Sequence, residues 1–107
     1  NSVMAPKIKL SAKLKGNVAD IKSLMLHPME TGSRIDPDTG NTIPAHHITQ
    51  LIFTHNDKQI MVANFSTAVS KNPFFGFSFE GAKVGDILKA SWVDNLGETE
   101  EIETQLA

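Results

Sequence analysis

No cysteine occurs anywhere in this chain of 107 residues. Disulfides, thiol nucleophiles and thiolate metal sites are therefore excluded. Charge of one sign is not in excess either: the formal net charge is −2 and the pI about 6.1. Without a clustered basic face, no nucleic-acid partner is expected. No run approaches the ~20 apolar residues of a membrane helix, and no membrane partner is expected. There is no G-x-S-x-G nucleophile motif and no glycine-rich loop leading into a helix to hold phosphate. No segment carries a sustained helical stripe; residues 63–71 would give at most one turn of helix. "MAPKIKL", from Met4, lacks the apolar region of an export signal. Asn1, Ser2 and Val3 precede that methionine and read as a cloning scar, leaving residues 4–107 as one domain.

What is present is period two. Apolar residues make up 40% and charged residues 21%, an ordinary globular balance. A chain of this length can bury roughly two thirds of its unfolded surface around one core. In "KIKLSAKLK", Ile8, Leu10, Ala12 and Leu14 alternate with polar residues, as in a half-buried strand. Gly16-Asn17 punctuates, and residues 18–27 form a second extended run that ends at Pro28. "DPDTGN" is a turn. "HHITQLIFTH" and "QIMVANF" flank "NDK" as a hairpin, followed by "PFFGFSFEG", "GDILKASWVD", a second hairpin turn at "NLGE", and "TEEIETQL".

About seven short strands with turn signals every eight to twelve residues predict an all-β fold, an immunoglobulin-like antiparallel β-sandwich. A small barrel is the alternative. Lys7, Lys9, Lys13, Lys15 and Lys22 crowd the start and Glu98, Glu100, Glu101 and Glu103 the end, as two solvated strand faces lying near each other. Leu88, Ala90 and Trp92 share one strand face, with Trp92 in the core and its indole N–H needing a partner. Phe75, Phe77 and Phe79 share another face. Phe74 and Gly76 lie opposite, where an outward aromatic beside a bare patch can begin a contact surface; alternatively, Phe74 tucks under the Pro73 turn.

Three groups tempt a chemical reading. Met25, His27 and Met29 form M-x-H-x-M, a thioether and imidazole set that suits Cu(I) if the strand stays regular. Pro28 breaks that regularity, and a buried Met25 with a hydrogen-bonded His27 is the preferred account. A small copper-binding module stands as the alternative function, but no metal or other cofactor is expected. His46 and His47, as strand neighbours, project to opposite faces and cannot share a metal; His55 matches the parity of His47 but lies too far along the strand. Among the carboxylates, Asp36, Asp38, Asp86 and Asp94 sit where turns and caps use them to bond local amides. Glu30 with His27 could form an acid–base pair, but nothing beside them supplies a nucleophile, and no catalytic residue is expected.

"HPMETG", "IPAHHI", "NPFFGFSF" and "SWVDNLGETE", in this order, resemble the SoxZ family, one half of the SoxYZ sulfur-carrier complex of thiosulfate oxidation. The resemblance covers residues 4–107. It implies an immunoglobulin-like sandwich that is not itself an enzyme. It also implies a cysteine-bearing SoxY-like partner in a heterodimer or larger assembly, and transient contacts with other Sox enzymes. The implied location is the periplasm, reached without an export signal of its own by crossing folded with the partner. A third reading is an adhesion-like sandwich that binds some other protein. In the scaffold reading, His27, Met29 and Glu30 of the "HPMETG" bend, together with Phe74 and Gly76, are the expected partner-binding residues. Met29 is expected to project from the bend toward the partner, unless it plugs the end of the core. Without the partner, an exposed apolar face is expected to drive self-association.

Overall fold

The computed structural model describes residues 7–66 and 68–107. Asn1, Ser2 and Val3 lie outside the described residues. Seven strands follow in order among these: β1 (Ile8–Lys15), β2 (Val18–Met25), β3 (Ile48–His55), β4 (Lys58–Asn64), β5 (Phe74–Glu80), β6 (Ile87–Asp94) and β7 (Thr99–Gln105). They form a three-stranded sheet, β1-β2-β5, and a four-stranded sheet, β4-β3-β6-β7. Every pairing is antiparallel. The chain changes sheet between β2 and β3, between β4 and β5, and between β5 and β6. This is the sandwich expected from the turn spacing; the two sheets do not join into one closed barrel.

Alternation sets which face is buried. Ile8, Ala19, Ile21 and Met25 of the first sheet meet Leu51, Phe53, Leu88, Ala90 and Trp92 of the second, all buried. Phe75 and Phe77 reach across to Phe53, with ring centroids 5.9 Å and 4.8 Å away. Rings at this spacing add to the area they bury. Phe74 faces out and is 63% exposed, so it does not tuck under Pro73. β1 packs beside β7, bringing the lysine-rich and glutamate-rich strands next to each other.

Turn chemistry agrees with the sequence in most places. Asn56 and Asp57 both take positive φ, 49° and 68°, the geometry that joins β3 to β4 without splaying them. The expected turn of helix in residues 63–71 does not form among the described residues. Ala63 instead pairs with Leu51 at the end of β4, where sheet pairing overrides its helical preference. Trp92 is buried as expected, but its Nε1 has no hydrogen-bond partner among the described residues. Its ring meets His27 edge-on, with centroids 5.1 Å apart.

Candidate functional site

Two connections meet at one end of the sandwich. One is the long excursion from β2 to β3, and the other is the turn from β6 to β7. The excursion folds back on itself through antiparallel bridges, Glu30 with His46 and Ile35 with Thr42. Its tip is closed by the Gly40 N–H on the Asp36 carbonyl, 2.8 Å, and by the Asp38 N–H on Asp36 Oδ1, 2.9 Å. Asn95 clamps the two connections together. Its Oδ1 accepts the His47 N–H at 2.8 Å, and its Nδ2 donates to the Ala45 carbonyl at 2.9 Å.

Asp94 is the hub. As the last residue of β6 it continues the inward alternation of Leu88, Ala90 and Trp92, and its side chain is fully enclosed. Oδ1 accepts the N–H groups of Leu96 at 3.0 Å and Glu98 at 2.9 Å, the local capping role expected of it. Oδ2 does something no local pattern foretells: it meets Nε2 of His27 at 3.1 Å and Nε2 of His46 at 2.9 Å. The same nitrogen of His46 lies 2.9 Å from Glu98 Oε1. Burial alone would raise the Asp94 carboxyl. The hydrogen bonds from His27, the Glu98 N–H, His46 and the Leu96 N–H outweigh it and bring the group down to about 2.

The protonation of His27 follows from its neighbours. The Met29 N–H donates to Nδ1 at 3.2 Å, which assigns the ring proton to Nε2, facing Asp94. Burial lowers its basicity against the opposing pull of the Asp94 hydrogen bond. His27 is thus a neutral donor locked in one tautomer. Its ring stands edge-on to His46, centroids 4.5 Å apart.

The bend at Pro28 turns Met29 inward, not outward. Met29 has φ 52°, rare for a side-chain-bearing residue, and is 6% exposed within the core cluster. Its sulfur accepts the Ile48 N–H at 3.3 Å. The expectation that Met29 projects to a partner is therefore corrected: the positive φ swings its side chain under the bend. His27, 3% exposed, is buried as well. Glu30 does not pair with His27. It forms a forked ion pair with Arg34, at 2.6 and 3.1 Å, and the Arg34 hydrogen bond lowers its carboxyl below the usual range.

The Met25, His27, Met29 trio offers no free metal donor set. Met25 is wholly buried, both His27 nitrogens are engaged, and the Met29 sulfur already accepts a backbone N–H. His46 precedes β3 and is not one of its strand residues, so strand parity does not separate it from other ligands. A surface groove of about 610 Å³ runs between Pro28, Glu30, Thr31 and Arg34 on one side and residues 68–71 on the other.

Phe74 and Gly76 lie on the outward face of the first sheet, with Phe74 near this same end: it pairs with Leu24, and the Pro73 carbonyl before it accepts the Met25 N–H at 2.9 Å. Lys9, Leu24 and Phe74 form one row across the three strands, and Ser11, Lys22 and Gly76 the next. A shallow hollow of about 220 Å³ lies beside Phe74. The Phe74 ring leans over Gly76: a Cβ there would stand 3.4 Å from the ring and 3.3 Å from the Ile21 carbonyl oxygen. The bare patch is thus partly covered by its own neighbour.

Comparison with known proteins now decides the family. The model of sulphur oxidation protein SoxZ matches residues 8–105, nearly the whole chain. The chain belongs to the SoxZ family. Membership assigns it to sulfur oxidation. No curated protein matches this SoxZ-family chain. Its fold is similar to that of a hypothetical protein from Pyrococcus horikoshii, with TM-score 0.70 and 17% identity, over 94% of this chain and 87% of that one. It is also similar to a superoxide reductase in the oxidised state, with TM-score 0.65 and 18% identity, over 100% and 94% of the two chains. A superoxide reductase (neelaredoxin) from Archaeoglobus fulgidus gives TM-score 0.59 and 21% identity, over 95% and 86%. At these identities the likeness is one of fold.

Proposed function

We propose that this chain is the cysteine-free, non-catalytic subunit of a periplasmic sulfur-carrier heterodimer. It docks a SoxY-like subunit that carries the sulfur intermediate on its thiol, and it presents that subunit to the processing enzymes. The supporting observation is the SoxZ match over residues 8–105 in a chain without cysteine. A covalent sulfur carrier needs a nucleophilic thiolate, and this sequence can supply none. The work left to it is recognition.

Phe74 is the anchor this reading favours. A lasting pairing buries on the order of 1,600 Å² or more and places aromatic and apolar groups at its centre, ringed by polar ones. The row of Lys9, Leu24 and Phe74, bordered by Lys22 and Ser11, has that composition. Glu30 and Arg34, beside the groove that residues 68–71 also line, offer charged contacts to enzymes that visit the complex.

Co-expression with a cysteine-tailed SoxY-like subunit tests the proposal. The two chains should elute together at micromolar concentration. Separate elution would refute it.

A further inference from the structure

We propose that His46, Asp94 and Glu98 form a binding site for a borderline divalent cation of the Zn²⁺ type, with His27 as the residue that positions Asp94. The proposal revises the expectation, drawn from residue spacing alone, that this chain binds no metal. It is independent of the carrier role.

The donor atoms already converge. His46 Nε2 lies 2.9 Å from both Asp94 Oδ2 and Glu98 Oε1. A cation bound tetrahedrally at about 2.0–2.2 Å to nitrogen and oxygen holds its ligand atoms about 3.3–3.6 Å apart, so these contacts would have to open by only about 0.5 Å to admit it. One imidazole and two carboxylate oxygens suit a borderline ion better than a hard one, because the nitrogen contributes. The reacting end is reachable: the side chains of His46 and Glu98 are 30% and 57% exposed.

Charge argues in the same direction. Two carboxylates meet at one imidazole nitrogen, and among the described residues neither is paired with lysine or arginine. A divalent ion would balance both.

The surroundings hold the ligands still. Two backbone N–H groups fix Asp94 Oδ1, which leaves Oδ2 aimed at the site. The paired hydrogen bonds between the backbones of Glu30 and His46, 2.7 and 2.9 Å, fix the approach of His46. His27 completes this support without ligating. Its Nδ1 faces the Met29 N–H, so its proton must stay on Nε2, and that nitrogen has no lone pair to offer. Binding would move the His46 proton from Nε2 to Nδ1 by exchange with water and free the Nε2 lone pair. Water would fill the remaining coordination position.

Calorimetric titration of the whole chain with Zn²⁺, and separately with Mg²⁺, tests this. Saturable uptake of one Zn²⁺ per chain is expected, with Mg²⁺ at least tenfold weaker. E98Q, at an exposed carboxylate, should weaken Zn²⁺ at least tenfold with no change in fold, and H46Q should abolish uptake. H47Q and H55Q should leave it unchanged. Nitrogen-detected NMR should show His46 change tautomer on binding while His27 keeps its own. No saturable Zn²⁺ uptake, uptake unaltered by both E98Q and H46Q, or equal affinity for Mg²⁺ would overturn the site.

Discussion

His27 donates to Asp94 across 67 residues of sequence, Nε2 to Oδ2 at 3.1 Å, with both side chains almost fully enclosed. A buried carboxylate is tolerated only when its oxygens are satisfied, and here four donors meet its two oxygens. Asp94→Asn should be costly in either amide orientation. If the amide oxygen faces the imidazoles, the NH₂ group meets the N–H groups of Leu96 and Glu98; if it is reversed, the NH₂ group meets His27. We expect a loss of roughly 2–4 kcal/mol. Thermal unfolding should show a midpoint lower by about 10 °C or more. An unchanged midpoint would show that the network contributes nothing to stability.

Gly32 has φ 90°, and a Cβ there would stand 3.2 Å from the Ala45 side chain. The residue lets the excursion leave the Met29 bend and close against the segment before β3. Gly32→Ala should destabilise by roughly 1–3 kcal/mol, from backbone strain plus crowding. Gly40→Ala is the control: φ there is 74°, but the space around it is open. Denaturant midpoints should rank Gly32→Ala clearly below Gly40→Ala, and equal costs would contradict the crowding.

Stability should fall as pH drops from about 4 toward 2. The hydrogen bond from His55, Nε2 to Asp86 Oδ2 at 2.7 Å, and the bond from the Lys83 N–H bring the Asp86 carboxyl down to about 2 in the folded chain. In the unfolded chain an aspartate titrates near 3.9. The folded group binds its proton less readily, so its stabilisation is present above the unfolded value and is lost as pH falls through the folded one. Melting curves across this window should show a shallower decline for Asp86→Asn than for the wild type. Asp94, also held at about 2, should supply the part that remains.

Much of this architecture could be read from alternation. Parity placed Phe75, Phe77 and Phe79 inside, Phe74 outside, and Leu88, Ala90 and Trp92 in the core. Residue spacing does not announce the Asp94 cluster, because His27 and His46 sit in the connection between β2 and β3 while Asp94 ends β6, 67 and 48 residues away in sequence. One signal was available: continuing the same parity two residues past Trp92 points Asp94 inward, where a carboxylate needs distant donors. Met29 misled for a different reason. Met-Glu-Thr-Gly has the composition of an exposed turn, but a positive φ on a methionine reverses the side chain, and no residue pattern announces that. Trp92 lies in the core as parity predicts, but its N–H has no hydrogen-bond partner among the described residues.

Phe74 should separate stability from recognition. At 63% exposure it supports little of the fold, and Phe74→Ser should change unfolding free energy by no more than about 0.5 kcal/mol. If the outward face of the first sheet is the docking surface, the same change removes an aromatic anchor from the centre of the contact. Such anchors contribute about 2 kcal/mol or more, near a thirtyfold change in dissociation constant. Leu24→Ser, next to it in the row, should weaken the partner complex in the same sense. The isolated wild-type chain should self-associate at high concentration in light scattering, and Phe74→Ser should reduce that association. A Phe74→Ser chain that binds the cysteine-bearing subunit as tightly as wild type would move the interface off this face.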